Sequence, residues 1–111
     1  MKAILIDPWN KSLETIELRK GYDQPALQTL YELVREEGID AAYIMPGESI
    51  IVGDHAALHD PPLPSFTIDG YRHRLYGRGV VLGYNASGEE RETRLTVDDI
   101  SKIITWEETS T

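Results

Sequence analysis

Cysteine is absent from this chain, which excludes disulfides, thiolate metal sites, iron–sulfur clusters and cysteine nucleophiles. Long apolar runs are absent as well. The longest, Ala41 to Met45, falls far short of the roughly 20 residues a membrane helix needs, so no membrane partner is expected. Only Ala3 to Ile6 follows Met1-Lys2 before Asp7-Pro8 interrupts. A secretory signal cannot be built from so short a run, and a cytoplasmic location is the expectation. Internal repeats and low-complexity blocks are missing. Basic residues are scarce, with 11 Lys and Arg against 19 Asp and Glu and a net charge of −8. That balance opposes attraction to phosphate backbones and anionic lipids, which makes nucleic acid an unexpected partner.

The charge that is present is unevenly placed. From Gly70 to Gly88 there is no acid, while Arg72, Arg74 and Arg78 are basic. The rest of the chain therefore carries −11, the total of −8 less these three positive charges. From Glu48 to Asp69 the reverse holds, with four acids and no Lys or Arg. A local basic stripe lies on an acidic body.

A length of 111 residues, 41% of them hydrophobic, suits one domain with one core. Lys2 to Asp7 (KAILID) reads as a strand buried on both faces, and Leu13 to Leu18 as its hairpin partner across the Asp7-Pro8-Trp9-Asn10 turn. Leu27, Leu30, Tyr31 and Val34 recur at helical spacing between Asp23, a plausible N-cap, and Gly38, predicting a helix over about 25–37. Short strands are expected at Ala41 to Met45 and Ile50 to Val52. Phe66 to Ile68 and Tyr71 to Tyr76 flank Asp69-Gly70, a hairpin dipeptide. Gly79 to Tyr84 reads as a further buried strand and Arg91 to Leu95 as a charged edge. Thr96-Val97-Asp98-Asp99 has the pattern of a helix start, and a last strand follows at Ile103 to Trp106. The expected architecture is α+β: a mostly antiparallel sheet, one main helix (25–37) packed on it, and a short C-terminal helix. Residues 1–106 form a single domain in this reading, and 107–111 a polar tail.

Two constellations could carry chemistry. His55 and His59 stand four apart, with Asp54 and Asp60 beside them. On a helix this spacing puts both imidazoles on one face, where they can share a metal with a carboxylate. No Glu lies between them to act as a base, Pro61 limits any helix to about one turn, and the alternative is a solvated polar loop. The second constellation is Arg72, Arg74 and Arg78 with Tyr76. Arginine forks beside tyrosine grip anions and stack on flat rings, while the alternative is a sheet-surface strand whose arginines pair with acids elsewhere. Gly77-Arg78-Gly79-Val80-Val81-Leu82-Gly83 is one residue too long for a dinucleotide loop and lacks the Lys-Ser/Thr ending of a P-loop. No serine sits in a nucleophile elbow, and Gly47-Glu48-Ser49-Ile50-Ile51 lacks the final glycine. Carboxylate pairs such as Glu89/Glu90 and Asp98/Asp99 are adjacent and so diverge. No cofactor is expected.

The opening KAILIDPWNKSLETIEL, the later Gly79-Val80-Val81-Leu82-Gly83 strand, the Gly88-Glu89 turn and the final TVDDISKIITW together resemble a family of small phage-, plasmid- and bacterium-borne domains of unknown function. The resemblance spans nearly the whole chain and rests on structural punctuation. It implies a compact accessory protein of mobile-element origin and supplies no activity. The basic stripe and the His55/His59 loop are not among the residues that carry it.

The expectation that follows is a non-catalytic module, of regulator or inhibitor type, that binds a macromolecular partner; a homodimer is compatible with it. The alternatives are a metal or small-ligand protein, including a metal-dependent enzyme, built on the histidine loop, and an anion or nucleotide binder built on the arginines.

Overall fold

A computed structural model of the chain describes residues 1–18, 30, 32–35 and 38–107. Nine strands dominate the described residues: β1 (Lys2–Asp7), β2 (Ser12–Glu17), β3 (Ile39–Met45), β4 (Glu48–Gly53), β5 (Ser65–Ile68), β6 (Tyr71–Tyr76), β7 (Gly79–Tyr84), β8 (Glu90–Arg91) and β9 (Ile104–Glu107). A 3-10 turn at Ala56–Leu58, a five-residue helix α1 (Val97–Ser101) and helical residues at 30 and 32–34 accompany them. All pairings are antiparallel. One sheet has the order β2-β1-β7-β4-β3, with β8 on β7, and the other has the order β6-β5-β9.

The two-sided burial expected of β1 and β7 is present. Ile4, Ile6, Ile50, Val52 and Val81 face the smaller sheet and meet Phe66, Ile68 and Leu75 from it, with Ile100 of α1 closing the same core. On the opposite face Ala3, Ile51, Val80 and Leu82 pack with Leu18, Leu30 and Val34. Period-two alternation of apolar side chains on both faces is what a central strand requires. Each fully buried Ile, Leu or Phe contributes roughly 1.5–3 kcal/mol.

This corrects the α+β expectation. The fold is predominantly β, and the layer packed across the main sheet is a second sheet instead of a main helix. Of the helix expected over 25–37, residues 30 and 32–34 are helical and Arg35 leaves the run at φ +58°, while 25–29, 31, 36 and 37 lie outside the described residues. The short C-terminal helix is present as α1. It starts with a capping box in which Asp99 N–H donates to Thr96 Oγ1 (3.1 Å) and Thr96 N–H donates to Asp99 Oδ2 (2.9 Å). The backbone N–H of Thr96 first, and its side chain second, hold the Asp99 carboxyl below its usual range. Glu107, expected to open the tail, ends β9 opposite Ser65.

Turn chemistry sets the register. Gly70 adopts φ +85° between β5 and β6, a conformation that only glycine takes without strain. Arg91 to Leu95, expected as a strand, pairs only through Glu90–Arg91 and then turns inward. At the open edge of the larger sheet, Ala41 N–H donates to Asp40 Oδ1 at 2.8 Å, and the β3–β4 register shifts between Tyr43 and Met45. No helix among the described residues is long and apolar enough to cross a membrane.

Candidate functional site: a cleft between Trp9 and His59

The β1–β2 turn is organised by one buried carboxylate. Asp7, 9% exposed, accepts hydrogen bonds at Oδ1 from the N–H of Trp9 (3.0 Å) and of Asn10 (3.4 Å), and at Oδ2 from Asn10 Nδ2 (2.8 Å). An Asx arrangement of this kind mimics a backbone turn. It presents Trp9 outward, 47% exposed, where the Arg78 guanidinium lies 4.7 Å from the ring centroid. Arg78 Nη2 also stands 3.7 Å from Asp7 Oδ2. That separation exceeds a hydrogen bond, so the guanidinium is aimed by charge and by the indole face.

Opposite Trp9 runs the loop that carries the histidines and prolines. Gly77 N–H donates to Pro64 O at 2.8 Å and pins the loop to the β6–β7 turn. Gly77 has φ +74°, and a Cβ there would lie 3.3 Å from Leu63 Cδ1 and 3.9 Å from Trp9 Cη2. Trp9, Leu63 and the 3-10 turn therefore converge on one glycine. The result is an open cleft of about 440 Å³ lined by Trp9, Val34, Arg35, His59, Leu63 and Arg78, a volume within the usual range of ligand sites. Among the described lining residues two arginines and a histidine supply the polar groups, and none is an acid.

No family model, curated protein or solved structure matches this chain, so the chemistry of the site rests on its own residues.

The two sequence constellations are divided and partly recombined. Arg78 leaves the arginine stripe at the Gly77 turn and enters the cleft, whereas Arg72 and Arg74 stay exposed on β6. Arg72 Nε donates to His73 Nε2 (3.4 Å), and Arg74 pairs with Glu107 at 3.7 Å. Tyr76 is half-buried at the end of β6. The histidines flank a single 3-10 turn, Ala56–Leu58, instead of sharing an α-helical face. His59 lines the cleft, while His55 Nε2 lies 3.8 Å from Asp54 Oδ1 and Asp54 itself sits over Gly38. Asp60 is exposed next to a cis Asp60-Pro61 bond. Among the described residues no group of three or more His, Asp or Glu comes together to hold a metal ion.

Sequence reasoning passed over a second acid–arginine pair. Glu48, 3% exposed, lies 3.2 Å from Arg91 Nη2 and accepts from Thr93 Oγ1 and from Arg94 N–H (3.3 Å). Arg91 also donates to Gly47 O (2.8 Å) and Glu92 O (2.6 Å). These bonds engage both carboxylate oxygens and both terminal guanidinium nitrogens, and the pair fastens β8 to β4 and β7.

Proposed function

We propose that the protein is a non-catalytic recognition module that binds a protein partner through the Trp9 cleft, from a cytoplasmic location. One observation carries the reading: in a chain of net charge −8, a cleft that pairs an exposed Trp with two arginines has no acid among its described lining residues. Trp and Arg are the residues most enriched at the energetic centres of protein interfaces. The acidic body repels an extended polyanion, so an anionic group entering the cleft must be short and local. Nucleic acid is disfavoured on the same ground.

The test compares the wild type with the Trp9→Ala/Arg78→Ala double variant, each first shown to be folded by circular dichroism. Quantitative affinity capture from the source cells is expected to retain a defined protein at least tenfold less on the double variant. Equal capture by both forms would remove the cleft from the interaction.

A further inference from the structure

We infer that the group read in the cleft is an acidic peptide segment in which an apolar or aromatic residue stands beside a carboxylate. The inference rests on the proposed recognition function and names the chemistry of its partner.

Three observations lead there. The lining divides into an apolar part (Trp9, Val34, Leu63) and a cationic part (Arg35, Arg78), with His59 between them in chemistry. A ligand that satisfies both parts has an apolar body and an anionic head within one side chain's reach. Next, the described lining side chains other than His59 offer hydrogen-bond donors but no acceptors. A mononucleotide would bring ribose hydroxyls and exocyclic amines that need acceptors, and these would be desolvated without a partner. A carboxylate needs donors only, and the planar guanidinium of Arg78 suits it as a two-pronged fork. Finally, the apolar character continues beyond the cleft wall: Leu58, which precedes His59, is 77% exposed. A bound segment longer than one side chain would find further apolar surface along the loop, whereas a small free acid would not use it.

Asp7 holds this arrangement as a positioning residue. Its carboxylate both builds the turn that presents Trp9 and supplies the charge that aims Arg78. It touches the ligand in neither role.

The experiment titrates isotope-labelled full-length protein with synthetic hexapeptides, followed by amide and indole N–H chemical shifts. The first peptide contains Asp-Trp-Glu, the second its neutral isostere Asn-Trp-Gln, and the third Asp-Ala-Glu. Adenosine monophosphate, inorganic phosphate and indole-3-acetate are the small-molecule arms. The expected result is binding of Asp-Trp-Glu at least tenfold tighter than of either altered peptide, with shifts centred on Trp9, Gly77 and Arg78. Arg78→Gln should lose that tenfold preference for the acidic form. Equal affinity for the neutral isostere would overturn the anion part, and equal affinity for the alanine peptide the apolar part. Tighter binding of the nucleotide, of phosphate or of indole-3-acetate would overturn the peptide assignment, and so would shifts away from the cleft or no shifts at millimolar peptide. Failure of the recognition reading is separately visible, because partner capture would then survive Trp9→Ala/Arg78→Ala whatever the peptides do.

Discussion

The central strand β7 carries an acid–arginine pair at each end, and the two pairs are built to different purposes. Opposite its C-terminal end, where Gly83 faces Glu48, the carboxylate is buried, the Arg91 contact is 3.2 Å, and Arg91 hydrogen-bonds two backbone carbonyls besides. Before its N-terminal end, Arg78 stands 3.7 Å from Asp7 and leans on an exposed indole. One arginine meets three protein acceptors, Glu48, Gly47 O and Glu92 O, although at 23% it is the more exposed of the two. The other faces a cleft. Residue type alone does not separate a structural clamp from an arginine proposed for recognition; the number of protein acceptors around the guanidinium does.

The sharpest way to break this comparison is to remove the acid at the clamped end. Glu48→Ala leaves Arg91 without its counter-charge and Thr93, 2% exposed, without its acceptor. The expected loss is about 3–5 kcal/mol, the usual cost of halving a buried pair, read as a fall in the urea midpoint. Peptide binding at the far cleft should persist wherever the variant remains folded.

Gly83→Ala tests the same clamp from the other side. A Cβ would stand 2.3 Å from Arg91 Nη1 and 2.7 Å from the Glu92 carbonyl oxygen. The backbone atom cannot swing aside as a side-chain tip can, so overpacking of about 1–3 kcal/mol is expected. An unchanged thermal midpoint would mean that β8 is not held as tightly as the distances imply.

A smaller effect is expected at α1. Thr96→Ala should cost about 1 kcal/mol, the typical value of an N-cap. It should also let the Asp99 carboxyl rise part of the way toward its ordinary range, because the Thr96 side-chain hydrogen bond is lost while the backbone N–H at position 96, the larger cause, still donates to Asp99 Oδ2. The sign is fixed by linkage. A carboxyl whose folded pKa is depressed adds stability above its unfolded pKa, and that stability is lost as pH falls through the folded value. Thr96→Ala should therefore flatten the acid limb of the stability profile, with side-chain carbon shifts of Asp99 reporting the titration.

A further stability change belongs to the cleft. Arg78→Ala forfeits the cation–π contact of a side chain that is 16% exposed, worth about 0.5–2 kcal/mol, and a long ion pair. Chemical denaturation should thus place it well above Glu48→Ala, while binding is where it fails. If Arg78→Ala proved as destabilising as Glu48→Ala, the two ends of β7 would be alike and the distinction would fall.

Much of the local structure was legible in the sequence because it is encoded by neighbours. KAILID and GVVLGY announce burial on both faces through unbroken apolar runs, Asp69-Gly70 announces its turn, and Thr96 with Asp99 announces a helix start. What packs on the main sheet was not legible. The apolar spacing at Leu30 and Val34 is helical, and those two side chains are buried, but the opposite face is closed by Phe66, Ile68 and Leu75 from another sheet. Periodicity says that a face is buried and not against what. The cleft was half legible: Arg78 and His59 were both singled out, but in different constellations. Their convergence depends on Gly77 reversing the chain and on a hydrogen bond to Pro64. Trp9 stands in the sequence only as part of the Asp7-Pro8-Trp9-Asn10 turn signal, and Glu48 and Arg91 stand too far apart in sequence to be paired by spacing.

Asp40 has a consequence for how this protein lives among its own copies. By accepting the N–H of Ala41, its carboxylate answers a donor on the outermost strand that a passing chain would otherwise engage, and its negative charge faces any identical edge brought alongside. The shift between Tyr43 and Met45 spoils the straight run such a neighbour would need. At the protein densities inside a cell, collisions between copies are frequent, and a sheet margin arranged in this way ends growth where a bare one would seed it.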